Sequence, residues 1–170
     1  MDNKVLSLRA CLAFAALLPM TTTSNAQEAA DAAARNTKDM QFATIPGMPT
    51  CATASVQSGD PGRGASIILA KLAAGCVIPW HWHTSSETLL MVSGTGRAEM
   101  KGSAAVMLHA GGYGRMPSKH VHQFGCAKAC MLFVVSDAAF DMHYVDADGK
   151  DIAPDEALKK VHQTPAKAPR

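Results

Sequence analysis

Glycine and proline punctuate the middle of this 170-residue chain at intervals too short for helices. Turn clusters stand at Gly59-Asp60-Pro61-Gly62-Arg63-Gly64, Ala74-Gly75, Gly94-Thr95-Gly96, Gly111-Gly112-Tyr113-Gly114 and Pro117-Ser118-Lys119. Glycine at such places takes backbone angles other residues resist, and proline interrupts regular pairing. Between the clusters lie short apolar or alternating runs: Ala65–Ala73, Glu87–Ser93, Arg97–Lys101, Ala105–Ala110, Val121–Phe124, Met131–Ser136 and Phe140–Val145. Runs of this length with turns about every 8–12 residues predict an all-β sandwich or barrel. No stretch with helical periodicity separates them, which argues against a βαβ fold. Only the end of the chain changes character. Pro154-Asp155-Glu156-Ala157-Leu158-Lys159-Lys160-Val161 places acids first and bases last, as a short helix and its dipole favour.

The beginning of the chain reads as an export signal. Lys4 and Arg9 precede the apolar stretch Ala10–Leu18, and Ser24 and Ala26 supply the small residues a signal peptidase needs. The expected division is therefore a signal peptide over 1–26, a flexible lead-in over 27–45, a β-domain over 46–150, and a short helix with a tail over 151–170. The expected location is the periplasm or the outside. An apolar run this short cannot cross about 30 Å of hydrocarbon, so no membrane span is expected after cleavage. A formal net charge of +2, with no long basic run, gives nucleic-acid binding little electrostatic support.

Cleavage would leave Cys51, Cys76, Cys126 and Cys130, which permit three connectivities. Cys126 and Cys130 flank Ala127-Lys128-Ala129, a tight loop between two strands, and this favours that pair. Cys51 and Cys76 would then pair by elimination. A redox or metal role for the CxxxC pair is the alternative, though nothing nearby in the sequence depresses a thiol pKa.

The densest chemical signal is Pro79-Trp80-His81-Trp82-His83-Thr84-Ser85-Ser86-Glu87. In a strand, residues two apart share a face, so His81 and His83 can converge on one point while Trp80 and Trp82 face away. Glu87 follows a polar bend that can bring its carboxylate back beside them. A further imidazole is available at His122. Imidazoles with a carboxylate suit one divalent transition metal: manganese, iron, nickel, copper or zinc. His120 shares the strand face of His122 and reads as a supporting donor, a substitute ligand or an exposed turn residue. His109, His143 and His162 read as ordinary surface residues. Met91, Met100, Met107, Met116 and Met131 read as core packing.

These residues resemble a family. The order Gly75-x5-His81-x-His83-x3-Glu87-x6-Gly94 is similar at every defined position to the first motif of the cupin superfamily. The second motif, Gly-x5-Pro-x-Gly-x2-His-x3-Asn, is met by Gly111, Pro117 and His122. Lys119 stands where that motif has glycine, and Cys126 where it has asparagine; a Cys126–Cys130 bridge would be one replacement for the lost cap. The resemblance spans about Gly59 to Asp148. It implies a jelly-roll β-barrel holding one metal, with His81, His83, Glu87 and His122 as ligands.

If Glu87 points inward, alternation sends Leu89 and Met91 inward too, joined by Leu132 or Phe133 according to register. An apolar pocket around one metal suits a small organic substrate. Arg97, Arg115 and Tyr113 are the candidates to bind an anionic group at its mouth. The resemblance implies a metal-dependent enzyme, a dioxygenase of the quercetinase type foremost, with Glu87 as its catalytic base. A Lewis-acid isomerase or lyase fits the same ligands. The alternative from another class is a non-catalytic metal- or ligand-binding module. Cupins often dimerise through barrel edges, so a homodimer is the family expectation.

Overall fold

The computed structural model describes residues 33–161. The expected signal segment, the start of the lead-in and His162 lie outside the described residues. The chain divides into two compact units, Met1–Thr37 and Lys38–Arg170, and the strands and helix below belong to the second.

Among the described residues, a short 3-10 turn (Thr37–Asp39) and twelve strands precede one α-helix. The strands are β1 (Ala43–Thr44), β2 (Ala52–Gly59), β3 (Ser66–Leu72), β4 (Cys76–Trp82), β5 (Glu87–Ser93) and β6 (Thr95–Met100), followed by β7 (Val106–His109), β8 (Tyr113–Met116), β9 (His122–Cys126), β10 (Cys130–Ser136), β11 (His143–Val145) and β12 (Asp151–Ile152). The helix α1 (Pro154–Val161) coincides with the acid-to-base run and buries Ala157. The strands form two six-stranded antiparallel sheets, ordered β1-β2-β3-β10-β5-β8 and β12-β11-β4-β9-β6-β7. Non-consecutive neighbours such as β3 beside β10 and β4 beside β9 give jelly-roll connectivity. Each sheet keeps two edges, so the expected barrel takes the form of two facing open sheets.

Alternation fixes which side chains meet between the sheets. On β5, Glu87, Leu89 and Met91 are buried while Leu90 and Val92 are exposed. On β10, Cys130, Leu132, Val134 and Ser136 are buried, so Leu132 rather than Phe133 faces in. Met91 and Met116 join this core, whereas Met107 lies on the surface. Strands β1, β2 and β12 fall where no strand was expected, and β8 begins inside what read as a glycine turn. Gly114 packs closely within that strand: a Cβ there would stand 3.2 Å from Leu108 Cδ1, so the leucine would have to give by a few tenths of an ångström.

One irregularity matters for everything that follows. The β4–β9 ladder pairs Ile78 with Phe124, and next His81 with His122, so β4 carries one extra residue across Pro79-Trp80. This is a β-bulge, and proline suits it because it has no N–H to give to a ladder. The bulge shifts the parity of the strand. Cys76 and Ile78 face the interior before it, and His81 faces the interior after it.

Both disulfides pair as the sequence suggested, Cys51 with Cys76 and Cys126 with Cys130. Cys76 and Cys126 are themselves register partners across β4 and β9, so the two bridges brace one end of the core. The first spans a sequence separation of 25 and the second of 4. Loop-closure entropy then assigns about 3.5 kcal/mol to the first and about 2 kcal/mol to the second. Replacing Cys51 and Cys76 together by Ala should cost more denaturant stability than replacing Cys126 and Cys130 together. Equal losses in urea titrations would contradict the entropic account.

Candidate metal centre

His81 is the penultimate residue of β4, His83 follows directly after the strand, Glu87 opens β5 and His122 opens β9. The bulge and the β4–β9 register thus bring His81 and His122 face to face, with ring centroids 4.2 Å apart. His83 lies 4.8 Å from His81 and 5.4 Å from His122 by the same measure. All three are 2–3% exposed. Their ligating atoms lie within 4.8 Å of one another, so the three histidines are positioned to bind a metal ion.

Each imidazole is held from behind by a backbone carbonyl. His81 Nδ1 lies 2.6 Å from the Pro79 carbonyl, which the bulge has freed from the ladder, and His122 Nδ1 lies 2.8 Å from the carbonyl of His120. His83 Nδ1 is bonded in the same way to the carbonyl of Asp141. A carbonyl can only accept, so each Nδ1 carries the proton and each Nε2 turns a lone pair inward. Burial holds the His81 imidazole well below its usual pKa, and the neighbouring His122 and His83 lower it further against the opposing Pro79 bond. Burial likewise lowers His83, outweighing Glu87. His81 and His83 are thus held toward the neutral form, the state that ligates metal.

A metal fits this donor set. The inward Nε2 atoms of His83 and His122 are buried with no hydrogen-bond partner. Leaving a buried polar atom unsatisfied costs about 1–3 kcal/mol each, and an ion among the three nitrogens would remove that cost. Glu87 stands outside the tightest histidine group, yet its Oε2 lies 3.4 Å from His122 Nε2 and 3.7 Å from His83 Nε2. Two donors on one ion with bonds of about 2.1 Å sit roughly 3.0–3.4 Å apart. The carboxylate is thus close to ligand spacing from two of the three histidines.

Three backbone segments meet at His83 and Thr84. Lys119 N–H donates to the His83 carbonyl at 2.8 Å, and Ser118 Oγ donates to the Thr84 carbonyl at 2.7 Å. Lys119 has φ +59°, the left-handed region that favours glycine, at the motif position where glycine is usual. Asp141 Oδ1 accepts from Thr84 N–H at 2.7 Å, and its Oδ2 lies 3.2 Å from His143 Nε2. Partial burial works against ionisation of Asp141, but hydrogen bonds from Thr84 and His143 outweigh it and hold the carboxyl below its usual range. Trp82 and Trp80 face away from the cluster as expected, and Trp82 stacks on His143 at 3.9 Å with planes 6° apart. His143 is therefore tied to the back of the site, contrary to its reading as an ordinary surface residue. His120 contributes its carbonyl rather than its ring.

A cavity of about 60 Å³ opens over the cluster, walled by Ile45, Met48, Leu132, Phe140 and Met142 among others. Its charged or ionisable lining consists of His81, His83, His122 and Glu87. The three residues expected at the mouth are elsewhere. Tyr113 and Arg115 alternate outward on β8, opposite buried Met116, because Met116 occupies the inward parity. Arg97 lies on the outer side of β6 and pairs with Glu99 at 2.5 Å. Tyr144 lies behind His81, its hydroxyl donating to the Gly47 carbonyl at 2.9 Å, and burial pushes its pKa up to about 12.

The ChrR cupin-like domain family matches residues 30–139, well over half of the chain. The chain belongs to this family, and so to the cupins. No curated protein matches it. Solved structures share the fold at low identity. A candidate acetylacetone dioxygenase from Methylibium petroleiphilum superposes with TM-score 0.56 at 16% identity, covering 72% of this chain and 86% of that one. The DMSP lyase DddQ from Ruegeria pomeroyi gives 0.51 at 17%, covering 67% and 60% respectively. KdgF from a Halomonas species gives 0.51 at 14%, covering 60% and 92%.

Two outcomes test the geometry. His83→Ala should lower Co(II) affinity at least 100-fold in titration calorimetry while the β circular-dichroism signal persists; unchanged affinity would contradict the donor assignment. Lys119→Gly should bind metal as the parent does. Its stability should be equal or slightly higher, since relief of about 1–2 kcal/mol of left-handed strain exceeds the entropic cost of glycine. A tenfold loss of metal affinity would show that the lysine side chain matters.

Proposed function

We propose that this chain is an exported metal-dependent enzyme acting on a small, neutral, oxygen-bearing organic molecule such as a short β-diketone, with dioxygen as co-substrate. His81, His83, His122 and Glu87 hold the ion, which when bound supplies a Lewis acid that polarises a carbonyl oxygen. The observation that carries this reading is the cavity: apolar walls, three imidazoles, one carboxylate, and no Lys or Arg among the described residues that line it. Apart from the ion, a substrate carboxylate or phosphate would meet no cationic side chain there and would face the Glu87 carboxylate.

Glu87 is the only acid among the described residues that line the cavity. Its carboxylate is thus the group able to take a proton from the carbon between two carbonyls, and its place beside His83 and His122 keeps it close to the substrate oxygens. The apolar walls exclude water from that transfer. Size narrows the quercetinase-type reading. Room for roughly four or five waters, at about 10–15 Å³ each, suits a short chelating diketone better than a multi-ring flavonol. The likeness of fold to the candidate acetylacetone dioxygenase agrees with this choice. The two disulfides support an oxidising compartment.

An oxygen electrode with metal-loaded protein decides the matter. Acetylacetone should be consumed with stoichiometric oxygen uptake, and a flavonol and a uronic acid should be turned over at least tenfold more slowly. Glu87→Gln should lower kcat about 100-fold or more. Silence across the panel with tightly held metal would favour the non-catalytic binding module instead.

A further inference from the structure

We propose that Asp141 is the positioning residue of this centre, its carbonyl aiming His83 and its carboxylate fixing where that carbonyl stands. The proposal rests on the reading of His83 as a ligand. His83 Nδ1 bonds to the Asp141 carbonyl across 58 residues of sequence. That carbonyl belongs to the segment between β10 and β11, which has no ladder partner to locate it. The Asp141 side chain supplies the location. Oδ1 accepts from Thr84 N–H, on the residue next to His83, and Oδ2 meets His143, which is stacked on Trp82 of β4. One residue thus grips the His83 strand end with its carbonyl and with both carboxylate oxygens.

The flanking residues extend the consequence to the substrate side. Phe140 and Met142 line the cavity, and the Phe140 ring lies 4.8 Å from the His83 ring. Phe140 N–H donates to the Pro61 carbonyl at 2.7 Å, anchoring the segment further out. The aim of His83 and the cavity wall are consequently set by three consecutive residues. Asp137 offers an internal comparison. Its Oδ1 accepts from Ser86 N–H at 2.8 Å, joining the same two loops, but none of its bonds reaches a histidine.

Co(II) added to the full chain tests this with two readouts, affinity and the visible ligand-field bands. Asp141→Ala should weaken Co(II) binding about 10–100-fold, the range for losing support behind a ligating histidine, and should shift the bands. Asp141→Asn keeps an oxygen for Thr84 N–H and should restore affinity to within about threefold of the parent, with its spectrum. Asp137→Ala should bind as the parent does. Should the alanine variant fail to fold, Asp141→Glu retains the charge, displaces the carboxylate and carries the expectation set for alanine. Parent-like affinity and bands in the alanine or glutamate variant would overturn the proposal. So would an equal loss in Asp137→Ala, which would reduce Asp141 to a general loop anchor. Parent-like binding by His83→Ala would instead sink the ligand reading beneath it.

Discussion

An imidazole can turn a lone pair into a protein interior only if the proton on its other nitrogen has somewhere to go. Here backbone carbonyls of Pro79, His120 and Asp141 take those protons from His81, His122 and His83. Burial and the neighbouring imidazoles hold His81 toward its neutral form, and burial does the same for His83. The result is a set of inward nitrogens without protein partners, a costly arrangement unless something else satisfies them. The surrounding structure can be understood as the apparatus that keeps those carbonyls in place.

Each carbonyl is held by a different device. The Pro79 carbonyl is free because the bulge removes it from the β4–β9 ladder. The His120 carbonyl lies two residues before its own ligand, in the turn that follows Pro117. The Asp141 carbonyl comes from a distant loop and depends on side-chain bonds. Behind them the facing sheets supply a packed floor of Ile78, Leu89, Phe124 and Leu132, and the two disulfides brace the far end. Rigid sheets with the donors at strand ends give the fixed geometry that a metal site demands.

Much of this was legible in the residues. Spacing placed His81, His83 and Glu87 together, the cupin motifs added His122, and charge order marked the helix from Pro154 to Val161. Other features depend on contacts that no local pattern encodes. The bulge changes the parity of β4 through one extra residue, and Pro79 is its only trace. Strand β8 hid because Gly111, Gly112 and Gly114 look like a turn, whereas Gly114 in fact packs within a strand, close to Leu108. Tyr113 and Arg115 could be sent outward only once Met116 was known to take the inward parity. Asp141 is invisible from sequence, since its partner lies 58 residues away and the bond uses a backbone oxygen any residue possesses.

The cavity and the centre impose different limits on function. The centre sets what can be polarised and where a proton can go. The cavity, small and without cations, sets which molecules can reach it. Both limits presuppose that three histidines share one ion. X-ray absorption spectroscopy of the full chain loaded with one equivalent of zinc measures this most directly. The account predicts multiple scattering from three imidazoles, with nitrogen at about 2.0–2.1 Å and a carboxylate oxygen in the same shell. A first shell with a single imidazole, or with none, would contradict it.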